Sequence, residues 1–87
     1  MERNLEASES IRRALFRQVA KKGMANSLIP HYLRELKKSI YIRPGKSHSE
    51  INEHMHYLGW REIDVDYHTF QLAKECMNRD KHKEIAA

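Results

Sequence analysis

The chain has little of what interrupts or cross-links a backbone: one cysteine, two prolines and three glycines in 87 residues. The lone cysteine, Cys76, cannot close an internal disulfide, and the opening M-E-R-N-L-E-A-S-E-S is polar and acidic where a secretory signal needs an apolar run. A reducing, cytoplasmic setting is therefore expected. Long apolar runs are missing too, I-Y-I at 40–42 being among the longest, so nothing approaches the roughly 18 residues of a membrane span. No membrane is expected as a partner. Scarce glycine and proline, beside 40% apolar and 32% charged residues, exclude a disordered chain and point to a helix-rich globular one.

This length suits one small domain and is too short for two, with about 60–65% of the unfolded surface buried on folding. A stability of about 5 kcal/mol is ordinary at that size. Little free energy is spare for a strained active site, which argues against an enzyme.

Apolar spacing predicts four helices. In the first, over 4–22, Ile11, Leu15 and Val19 recur every four residues on one face, Arg13, Arg17 and Lys21 keep the same spacing opposite, and Gly23 ends the run. The second, over 27–40, carries Ile29, Tyr32, Leu33, Leu36 and Ile40 as its apolar stripe, with Arg34 and Lys38 across from it and Lys37 at its edge. Asn26 or Ser27 is expected to cap it, and Pro30 falls where a missing amide proton costs least.

Pro44-Gly45 suits a type II turn, and Ser47 with Glu50 forms the S-x-x-E capping box that opens a third helix over 48–58. Ile51, Met55 and Leu58 are its inward face, Gly59 its left-handed stop, and Trp60 is expected to fold back over that turn. A fourth helix, over 66–79, has Asp64 or Asp66 as cap. Phe70, Ala73 and Met77 share one side, Leu72 and Cys76 another, and Tyr67 widens the arc. It is expected to be the most enclosed helix, or else to be partly covered by another subunit, and the polar tail near 80–87 is expected to fray. The expected fold class is all-α: residues 1–87 as a single small four-helix domain, orthogonal or bundle-like, with the first two helices as an antiparallel hairpin and the fourth packed centrally.

The motifs that carry chemistry fail on spacing. Aligning Gly45-Lys46-Ser47 with the end of a phosphate loop, G-x-x-x-x-G-K-[ST], puts Ile40 where the first glycine belongs, and no strand precedes it. Ser47 reads as a helix cap. His54 and His56 stand two apart on a helix and diverge by about 160°, His48 and His56 lie nearer one face but two turns apart and too far to share an ion, His31 and His68 sit elsewhere and Cys76 has no C-x-x-C partner, so no metal is expected. Cys76 falls on an apolar arc, where a nucleophile would need exposure and a base. Glu62, Asp64 and Asp66 lie at a helix start, where the dipole favours acids. No catalytic residue and no cofactor are expected.

Charge layout is the surviving lead. Residues 10–46 hold ten lysines or arginines and one acid, Glu35, whereas residues 47–75 hold two bases and six acids. Part of this follows the helix dipole, with Lys21, Lys22, Lys37 and Lys38 near helix ends and Glu50, Glu53, Asp64 and Asp66 near starts. The remainder does not: like charges at i, i+4 cost about 0.2–0.5 kcal/mol per pair, and Glu9 can relieve only Arg13. Arg13, Arg17, Lys21, Arg34, Lys38, Arg43 and Lys46 are the candidate anion- or partner-binding residues.

Two function classes use such a face. One is a non-enzymatic protein-interaction or subunit module that meets an acidic protein partner or another copy of itself. The alternative is nucleic acid bound through its phosphates. A helix-turn-helix is disfavoured, because Gln18 and Lys22 fall where that motif needs apolar packing and Pro30 falls inside the recognition helix. The interaction module is the expected function.

Overall fold

Residues that recur every third or fourth position bury themselves together, and this sets the architecture of the computed structural model, in which the backbone is described for residues 2–86 and the side chains for 9–78. Among the described residues the chain forms four helices and no strand: α1 (Glu2–Lys21), α2 (Ile29–Ile42), α3 (His48–Tyr57) and α4 (Tyr67–Ala86). The domain is all-α, as the spacing predicts. None of these helices, within the described residues, is long and apolar enough to cross a membrane.

Leu15 and Val19 of α1 are buried and Ile11 is half-buried against them. Gly23, at φ +103°, ends the helix in the left-handed region, and its N–H donates to the Ala20 carbonyl at 3.0 Å. Met24 then enters the core from the connector, a role that the sequence pattern does not assign it.

α2 begins later than expected. Leu28 and Ile29 donate to the carbonyls of Ala25 and Asn26 (2.9 and 3.3 Å), so the chain is already coiled before the first helical residue. Neither Asn26 nor Ser27 caps the helix: the N-cap is Leu28, in right-handed helical conformation, with no side-chain bond. A side-chain cap needs an extended residue that aims its oxygen at the first amides, and none precedes Ile29. At its other end α2 takes in Tyr41 and Ile42 and closes with the Arg43 N–H on the Ser39 carbonyl (3.1 Å).

Gly45, at φ +84°, and the Lys46 N–H on the Arg43 carbonyl (3.4 Å) make the turn that Pro44-Gly45 predicts. The capping box of α3 is complete: Ser47 Oγ accepts from the Glu50 N–H (3.3 Å) and Glu50 Oε1 accepts from the Ser47 N–H (3.2 Å). α3 ends in a Schellman pattern, with the Trp60 N–H on the Met55 carbonyl (2.9 Å), the Gly59 N–H on that of His56 (3.0 Å), and Gly59 at φ +108°. Leu58, expected to face inward, is 44% exposed, because it is the C-cap and no longer follows the helical period. Trp60 packs edge-to-face on the buried Tyr32 ring of α2, centroids 5.4 Å apart.

Between α3 and α4, Ile63 and Val65 are buried while Glu62 and Asp64 point out, a strand-like alternation inside a loop. Asp66 caps α4, accepting from the Thr69 N–H at 2.7 Å. Phe70, Ala73 and Cys76 are buried, and Leu72 and Met77 half-buried, but Tyr67 is 60% exposed and does not widen the core-facing arc. It sits one position after the cap, at the mouth of the helix, edge-on to His48 at 5.6 Å. α4 also turns Gln71, Lys74, Glu75 and Asn78 outward, so it is less enclosed than expected. Its backbone runs past the expected end at 79, and the side chains of the tail expected to fray lie outside the described residues.

The packing order differs from a simple hairpin. α4 carries the most extensive packing, against α1 first and α2 second, and α2 touches the other three helices, α1 most lightly. Seven residues join α1 to α2, and Met24 among them is buried in the core.

Candidate interaction surface

Because the apolar face of α1 is committed to the core, Arg13, Arg17 and Lys21 project from the other side and are exposed. Arg13 meets Glu9 across one turn at 3.8 Å, a weak pairing of two exposed groups. Among the described residues Arg17 and Lys21 form no ion pair. On α2, Arg34 and Lys38 are exposed and unpaired within the same set. Since α2 continues to Ile42, Lys37 and Lys38 do not stand in its last turn, and the helix dipole does not account for them. The Arg34–Lys38 stripe instead runs into Tyr41 and Ile42, which are 74% and 54% exposed.

Arg43 and Lys46 belong to a different feature. With Lys74 of α4 they surround a cleft of about 200 Å³ whose floor includes Ile40, Phe70 and Met77. Lys74 Nζ stands 5.1 Å from the centre of the Phe70 ring. Glu50 Oε2 lies 3.4 Å from Lys46 Nζ and partly offsets its charge. Ser47 and Lys46 together hold the Glu50 carboxyl below its ordinary range, the backbone N–H of Ser47 first among them. The five candidates on α1 and mid-α2 do not line this cleft.

Lys74 escapes the sequence reading. It lies in the acidic half of the chain, and only its i, i+4 spacing from Phe70 and i, i+3 spacing from Met77 hint that it overhangs apolar surface.

The groups that first suggest chemistry are spent on structure. His56 Nε2 lies 3.0 Å from Asp64 Oδ1 and 3.4 Å from the Ile63 carbonyl, whereas His54 stacks on Tyr57 and His48 stands edge-on to Tyr67. Among the described residues no three of His, Cys, Asp and Glu gather as metal ligands. Asp66 Oδ2 takes the Lys22 ammonium at 2.7 Å, joining the end of α1 to the start of α4. Burial raises the Asp66 pKa, but Lys22 and the Thr69 amide outweigh that effect and hold it at about 2, against an ordinary 3.8. Burial, reinforced by Asp64, Asp66 and Glu62, pushes the Tyr32 phenol well above its usual range, so it stays neutral. Cys76 is buried. Comparisons with protein-family models, with curated proteins and with solved structures return no match for this chain.

Proposed function

We propose that this domain is a non-enzymatic interaction module of the cytoplasm whose basic surface on α1 and α2 docks an acidic protein partner. The observation that carries this reading is the junction on α2, where the unpaired Arg34 and Lys38 run directly into exposed Tyr41 and Ile42. A surface that grips only phosphates needs cations, and an aliphatic side chain beside them adds nothing to that grip. Aromatic and aliphatic groups among arginines are the usual make-up of a protein interface, where charge steers the encounter and apolar contact holds it.

Fluorescence anisotropy tests the reading with a labelled acidic peptide, a DNA duplex and a single-stranded RNA, each titrated at about 50 and about 200 mM salt. The peptide is expected to bind, to weaken with salt, and to be lost by Arg17→Glu/Arg34→Glu, which removes one cation from each stripe. Tighter binding of DNA or RNA than of the peptide at the higher salt would overturn the reading in favour of a phosphate-binding surface. Binding of none of the three by the folded protein at low salt would remove the basic surface from both roles.

A further inference from the structure

We infer that the cleft between the α2–α3 turn and α4 is the anchor site for that partner, seating one large apolar side chain of an acidic segment. The inference rests on the proposed docking function and names the place and chemistry of the contact. Three cations, Arg43, Lys46 and Lys74, stand around an apolar floor that includes Ile40, Phe70 and Met77. Their charge selects an anionic neighbour, and their arrangement around apolar atoms selects one that carries its own apolar group. Glu50 answers Lys46 alone, and neither Arg43 nor Lys74 is ion-paired among the described residues.

Size narrows the occupant further. Pockets for whole small-molecule ligands run from about 300 Å³ upward, whereas this cleft is about 200 Å³, which fits a single side chain better than a cofactor. The cleft lies at the C-terminal end of α2, the end that also carries the exposed Tyr41 and Ile42.

Two labelled peptides of equal negative charge separate this inference from the reading beneath it: one with a central pair of leucines among glutamates, the other with serines in their place. The leucine peptide is expected to bind about tenfold tighter, the gain from partly burying one such side chain. Lys74→Glu, at an exposed site, is expected to remove most of that advantage. Amide shifts in a ¹⁵N-labelled protein should concentrate at 40–46 and 70–78. Equal affinity for the two peptides, with shifts confined to the helix stripes, would overturn the anchor while leaving the docking function in place. Failure of both peptides to bind would overturn both. Self-association abolished by Lys74→Glu would put a second copy of the chain in the cleft and overturn the assigned occupant.

Discussion

Asn52 shows how one residue can hold a segment that has no regular structure. Its Oδ1 accepts from the Val65 N–H at 2.8 Å and its Nδ2 donates to Asp64 Oδ1 at 3.4 Å, so a single amide side chain on α3 pins the loop whose Ile63 and Val65 fill the core. Asn52→Ala leaves a part-buried amide without that acceptor and is expected to cost about 1–3 kcal/mol in urea unfolding. An unchanged midpoint would mean that burial of Ile63 and Val65 alone holds the loop. In sequence Asn52 is one more polar residue on a helix, because its partner lies thirteen positions away and nothing local announces the pair. Lys74 was illegible for a similar reason: the cations it joins come from the other side of the chain's charge divide.

Most helix ends in this protein follow from local sequence, and one does not. The Ser47–Glu50 box and the Gly23, Gly45 and Gly59 turns are closed by residues within a few positions, so local sequence suffices. The cap expected at Asn26 or Ser27 fails because the turn preceding α2 takes its bonds from the backbone. Asp66, by contrast, both caps α4 and ties it to Lys22. Its folded pKa of about 2 lies below the ordinary 3.8, so its contribution is complete above the unfolded value and fades as the pH falls through that interval. Asp66→Ala is expected to lose about 1–2 kcal/mol at neutral pH and to lack this part of the acid-side decline. Asp66→Asn keeps a capping oxygen and should lose less. Urea midpoints measured stepwise from neutral pH to about pH 2 check both, and an acid decline identical in all three proteins would show that other carboxylates govern it.

Across the whole molecule, stability and charge pull in different directions. The radius of gyration, 12.9 Å, is near the roughly 12 Å of a compact chain of this length, so the basic residues sit on an ordinary packed domain. Arg17 stands between Arg13 and Lys21 at i, i+4 on both sides, without an ion pair among the described residues. Arg17→Glu turns two like-charged pairs into opposite ones and is expected to stabilise the protein by about 1 kcal/mol, while weakening the peptide binding proposed above. A more stable protein that binds less well would identify Arg17 as serving the surface at the expense of the fold. A destabilised variant would show instead that Arg17 supports the fold.

The sequence by itself determined the helices, most of their stops and the core-facing stripes, because each depends on residues within one or two turns and on the 3.6-residue period. It also determined which cations face outward on α1 and α2, since the opposite faces are apolar. Tertiary structure alone decided that α1 leans on α4, that Met24, Ile63 and Val65 leave the connectors for the core, and that Arg43, Lys46 and Lys74 share one cleft. Those outcomes depend on how helices cross and how loops return, and contacts between distant positions leave no periodic trace in a single chain.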